Sequence, residues 1–251
     1  MRVLLALPAL PALALILGCG TSTEEAGLSV SVSLAAPSSP ALEGGVRTIR
    51  TDLGYEVRIE RGYLATGSVG LLPCGDQHHH HLQELGSRLL ELLVPKAYAH
   101  HTGGSPIELA VGAVESLLAP SDAWIALGSL APPPDRYCGL RLTASPADGS
   151  NIGHPADGEM QGRTLRLEGT YQHDDAAEPT PFTLDAAVSF DVDLHFEAID
   201  LGPAGDQTAS LSIRKALDTW FDGIDLEADD DDAIRAAVLS NLQASLIASR
   251  R

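Results

Sequence analysis

The stretch LSVSVSLA, residues 28 to 35, alternates Leu28, Val30, Val32 and Leu34 with serines. Successive side chains of a strand point to opposite faces, so a period of two commits the segment to a half-buried β-strand. The same period returns along the chain. YEVRIERGYLATGSVGLLPC (55–74) alternates Tyr55, Val57 and Ile59 with charged residues and then continues as a second strand. IELAVGAVESLL, AWIALGSL, YCGLRLTA, RTLRLEGTYQ, AVSFDVDLHFEAI and TASLSIRKAL extend the series. Turn-forming runs separate them: APPPDR (131–136), SPADGSNIGHPADG (145–158) and GPAGDQ (202–207). Many short strands with Gly/Pro-rich turns predict an all-β fold, an antiparallel β-sandwich or barrel, with the sandwich expected here. No helix-length segments alternate with the strands, which disfavours a parallel α/β sheet.

Two helices are expected beside this body. HLQELGSRLLELLVPK places Leu82, Leu85, Leu89 and Leu92 or Leu93 at helical spacing and stops at Pro95, giving an inserted helix near 82–95, after Cys74. DDDDAIRAAVLSNLQASLIASRR, with Asp229 to Asp232 at its start and Arg250 and Arg251 at its end, reads as a helix over 230–248 whose charges complement the macrodipole at both ends. Ile234, Val238 and Leu242 form its sheet-facing stripe.

The chain opens with Arg2 and an apolar run from Val3 to Leu17, too short for a comfortable membrane span and laid out like a secretory signal. ILGC (16–19) resembles the lipobox of bacterial lipoproteins. The resemblance implies that residues 1–18 are a signal peptide, that Cys19 is lipidated and that the membrane is a partner through that anchor. Gly20, where an Asp would signal inner-membrane retention, points to an outer-membrane lipoprotein facing the periplasm or the cell surface. Residues 19–27 are then a lipidated tether and 28–251 one domain. Loss of residues 1–18, whose one charged group is Arg2, takes the formal charge from −18 to −19. Such an acidic chain argues against nucleic acid and anionic lipid surfaces as partners, and no basic run says otherwise.

With Cys19 assigned to the anchor, Cys74 and Cys138 remain. In an exported chain they form one disulfide or, as free thiols, a pair of soft metal ligands. Of the enzyme signatures, GxSxG, HExxH, GxxxxGK[ST] and GxGxxG are absent, as is an EF-hand loop. The acid run DGIDLEADDDD (222–232) lacks the glycine punctuation of a calcium loop and is explained by helix capping.

Histidine is the supply of chemistry. His78 to His81 form a run, with His78 and His81 on one face if Asp76 caps the inserted helix; the alternative is a polar turn that binds Ni²⁺ or Cu²⁺ weakly. His100 and His101, in AYAHHTGG, His154, in NIGHPADG, and His173, in YQHDD, all fall on loops. Two or more of them meeting at one cation is the expectation. His195 alternates with Val192, Leu194 and Phe196 and shares a polar strand face with Asp191 and Asp193.

YEVRIERGYLATGSVGLLPC, PPPDRYCGLRL, RTLRLEGTY, PFTL and WFDGIDL follow in an order that resembles the MbnP-like proteins, over roughly residues 55 to 226. The resemblance implies a periplasmic β-sandwich, copper as ligand and a di-haem peroxidase-like protein as partner. Two positions depart from that pattern. EMQGR (159–163) lacks the tryptophan that precedes the strand matched by TLRLEGTY, and LDAAVSF lacks the histidine that follows PFTL. The family's copper site therefore does not transfer residue by residue, and a metal here needs other histidines.

The sequence thus describes an envelope lipoprotein acting as a non-enzymatic binding module, with copper or another transition metal as the best-motivated ligand. A protein- or glycan-interaction module, with an exposed aromatic patch around Trp124 or Trp220, is the alternative. A hydrolase of unknown type is the third class.

Overall fold

The computed structural model describes residues 27–75 and 105–251. Cys19, the inserted helix near 82–95, and His78 to His81, His100 and His101 lie outside the described residues. In chain order the strands are β1 (Ser29–Ala35), β2 (Leu42–Glu43), β3 (Val46–Arg50), β4 (Tyr55–Pro73), β5 (Glu108–Leu109), β6 (Ala113–Ser116), β7 (Trp124–Leu130), β8 (Asp135–Ala144), β9 (Leu165–His173), β10 (Thr180–Ala186), β11 (Phe190–Leu201) and β12 (Thr208–Lys215). A 3-10 turn (Leu217–Thr219), helix α1 (Asp231–Ser245) and β13 (Leu246–Arg250) complete the fold. Among the described residues no helix is long and apolar enough to cross a membrane.

The strands form two sheets, the all-β sandwich expected from the sequence. The smaller has the order β13-β12-β1-β7, and the larger is organised by β4. The segment expected to be two strands is one, 19 residues long. Along one side β4 meets β3, then β6, then β5; along the other it meets β9 and then β8. Register slips against β9 between Ile59 and Arg61, and against β8 between Thr66 and Ser68. Such irregularities bend a strand, which lets the two halves of β4 serve two differently oriented parts of the sheet. The approach at the first slip needs glycine: a Cβ on Gly169 would lie 1.8 Å from the Arg58 carbonyl oxygen.

Apolar residues at alternate positions meet in one core. Val30, Val32 and Leu34 of β1 and Leu211 and Ile213 of β12 join Val69, Leu71, Leu140, Leu142 and Leu194 of the larger sheet. Tyr55, Val57 and Ile59 join it from the first half of β4, with Leu217, Trp220, Phe221, Ile224, Val238 and Leu242 from the C-terminal segment. Burying a large apolar side chain stabilises by about 1.5–3 kcal/mol, so this cluster outweighs any single polar contact described below. A second, small cluster of Ala65, Val114, Ala147 and Met160 seats the 145–163 loop against β4 and β6. That loop is also clasped by charge: Arg61 meets Glu159 at 3.1 Å and Arg163 Nη1 donates to the Glu159 carbonyl at 2.7 Å.

Two expectations are corrected here. β1 and β12 pair parallel, with Ser29 opposite Thr208 and Leu34 opposite Ile213, inside an otherwise antiparallel arrangement. The C-terminal helix covers 231–245, not 230–248, because Leu246 onward turns extended and pairs with β12. Its N-terminus is capped as expected, Asp230 accepting from the Ala233 N–H at 2.8 Å. Its last turn carries no basic residue. Arg250 instead lies opposite Leu211 in the sheet and pairs with Asp206 at 3.0 Å.

Candidate functional sites

Cys74 follows the end of β4 and Cys138 lies in β8, strands that pair with Pro73 opposite Tyr137. Their Cα atoms are 5.0 Å apart and the sulfurs are bonded. The disulfide settles the choice left open by the sequence and leaves neither sulfur as a thiolate metal ligand.

The two described histidines of the expected metal set stand far apart. His173 ends β9 opposite Tyr55. His154 follows Gly153, whose Cα faces the Val114 carbonyl, and Val114 lies opposite Ala65. Tyr55 and Ala65 are separated by half of β4, which at the rise of an extended strand is roughly 30 Å. His154 and His173 therefore do not share an ion. Among the described residues no group of three His, Cys, Asp or Glu side chains is placed to hold one. His154 Nδ1 lies 2.9 Å from the Pro155 carbonyl, so the geometry assigns the proton to Nδ1. Nε2 is then a buried lone pair without a partner. His195 is exposed on β11 with Asp191 and Asp193, as the alternation predicts.

His173 belongs to a cluster that the sequence reading did not assemble. Its ring lies edge-on to Tyr55, centroids 5.0 Å apart. Tyr55 Oη donates to Asp225 Oδ1 at 2.7 Å, and the same oxygen accepts the N–H groups of Glu227 at 3.1 Å and Ala228 at 3.0 Å. Burial, and after it the bond to Asp225 and that carboxylate's charge, push the Tyr55 phenol up to about 12. The Tyr55 bond and then the Ala228 and Glu227 N–H groups hold Asp225 below the ordinary carboxylate range. Asp52 Oδ1 accepts the Gly223 N–H at 2.7 Å and pins the other end of the same loop. These contacts use the acid run to dock the segment before α1 onto the β3–β4 turn, consistent with a structural reading of DGIDLEADDDD.

The two tryptophans separate cleanly. Trp220 is fully buried and its Nε1 donates to Ser245 Oγ at 2.9 Å, so the patch imagined around it does not exist. A Trp buried with its N–H satisfied is a core anchor. Trp124 is 37 % exposed at the start of β7. The Arg251 guanidinium lies 3.7 Å from the centre of its ring, a cation–π contact. Arg251 also lines a shallow trough of about 510 Å³ on the outer face of the smaller sheet, with Ser31, Ser33, Ala126, Ser129 and Ser210. The serines sit there because the β1 alternation turns its valines inward, and because parallel pairing sets Ser31 against Ser210. Their hydroxyls are 2.9 Å apart.

No protein-family model, curated protein or solved structure matches the chain.

Proposed function

We propose that the protein is a non-enzymatic binding module held at the cell envelope by a lipid on Cys19, and that its ligand is a glycan laid on the outer face of the β13-β12-β1-β7 sheet. The observation that carries this reading is the half-exposed indole of Trp124 beside a trough lined with serine hydroxyls. A pyranose offers hydroxyls that exchange hydrogen bonds with the serine hydroxyls, and its C–H face packs on the indole by displacing the Arg251 guanidinium that covers the ring. Arg251 supplies a cation within reach of a uronic-acid or other anionic sugar carboxylate. The smaller sheet is a rigid support, since β1 and β12 are fixed by the core behind them.

Calorimetric titration of the mature protein with neutral and uronic-acid-containing oligosaccharides tests the proposal. Saturable binding that Trp124→Ala abolishes and Trp124→Phe partly retains is the expected result. Absence of binding by the wild-type protein across both classes would defeat it. The copper reading rests on histidines that include His100 and His101, outside the described residues. Equilibrium dialysis against Cu²⁺, comparing wild type with a His100/His101→Ala variant, measures it independently.

A further inference from the structure

Lys215 of β12 and Glu115 of β6 meet between the two sheets, Nζ against Oε2, with side chains 1 % and 4 % exposed. Pairing fixes both backbones. Lys215 stands opposite Leu246 in the smaller sheet, and Glu115 opposite Leu64 in the larger. An ammonium carries three N–H donors. Among the described residues Lys215 Nζ donates to the Glu115 carboxylate. A buried ion pair carries the desolvation cost of two charges. A secondary amide has one N–H, one C=O and no charge, and suits the same space.

We propose that Lys215 and Glu115 condense into an intramolecular amide that links the two sheets covalently. One proton transfer along their contact gives a free amine beside a carboxylic acid. The Nζ lone pair attacks Glu115 Cδ and the C–N bond forms. One of the two amine protons passes to the hydroxyl of the carboxyl group, the Cδ–O bond breaks, and one water leaves. The other proton remains as the amide N–H, and nothing is oxidised or reduced. A void of about 30 Å³ bounded by Glu115, Leu34, Ala36 and Ser116 has room for that water. Groups held in reacting contact behave as if present at ~10⁵–10⁸ M. That advantage opposes the excess of water that favours hydrolysis of an amide in bulk solution. The bond would join the sheets across the core, whereas Cys74–Cys138 joins neighbouring strands of one sheet.

Intact-mass measurement of the purified, denatured protein decides the matter. The expected mass is lower than that of the processed chain, its acyl groups counted, by two hydrogens for the disulfide and by one further water. Fragmentation should then yield a branched peptide joining the segments around residues 115 and 215. Lys215→Arg, which keeps a cation but has no primary amine, should lack only the two hydrogens. Wild-type protein lacking only those two hydrogens overturns the proposal, and because that measurement needs no variant, a misfolded mutant cannot obscure it.

Discussion

Arg47 is fully buried, and its guanidinium is spread over three backbone carbonyls. Nε donates to Leu117 at 2.6 Å, Nη2 to Ala119 at 2.7 Å, and Nη1 to Pro40. Burial lowers its pKa from the ordinary arginine value. A planar fork of donors ties the chain before β2 to the turn after β6, which the single head of a lysine cannot do. Arg47→Lys is expected to cost about 2 kcal/mol and Arg47→Met more, since each carbonyl left unpaired costs about 1–3 kcal/mol; urea unfolding measures both. A Met variant as stable as wild type would show that desolvating the guanidinium cancels its bonds. The same residue explains why the β2–β3 hairpin escaped the sequence reading, because Arg47 takes an inward position where the alternation calls for an apolar residue. At Tyr55 the expected effect is on pH dependence. A phenol raised in the folded state favours folding fully below pH 10 and loses that contribution as the pH rises toward about 12. Thermal unfolding of Tyr55→Phe should lack that part of the alkaline decline while retaining the parts due to other groups.

Elements were legible where one face alternates without exception. β1 is of this kind, with Val30, Val32 and Leu34 inward; β12 follows it with Ala209, Leu211 and Ile213 inward until Lys215 takes the next inward position. The end of α1 was not legible, because LIASR continues a good helical composition. What decides it is tertiary: β12 presents a free edge, and Leu246 and Ala248 fill the core by alternation. Ser245 sits at the change of structure, its hydroxyl donating to the Leu242 carbonyl at 2.7 Å while accepting from Trp220. The start of the helix, by contrast, is written locally in Asp230. Asp230→Ala is expected to destabilise by about 1 kcal/mol, and Asp230→Ser to recover most of it. At the bend of β4, Gly169→Ala should be far more damaging than an ordinary Gly→Ala change, because its methyl meets the Arg58 carbonyl rather than space. A Tm within one or two degrees of wild type would mean that β4 and β9 separate there at little cost.

At the scale of the molecule, sequence pattern specifies faces and not neighbours. The parallel pairing of β1 with β12 joins residues about 180 positions apart, and nothing local encodes it. The candidate site was illegible for the same reason. Loop histidines can be recognised as available, but only the fold reveals that His173 lies against the start of β4 and His154 near its middle. The Cys74–Cys138 bond is the long-range contact that the sequence suggested, since setting Cys19 aside for a lipid anchor leaves one intramolecular pairing. Its sequence separation is 64 residues. Closing a loop of that length removes denatured-state entropy worth about 4 kcal/mol in the chain-entropy model. A Cys74→Ser/Cys138→Ser double variant should therefore unfold at markedly lower urea concentration, with a loss approaching that figure. Its m-value should rise, because the unlinked chain exposes more surface when unfolded. Wild-type protein under reductant should behave like the variant. If the variant loses less than about 1 kcal/mol, the ladder between β4 and β8 already holds these strands together. The bond would then add little to the fold.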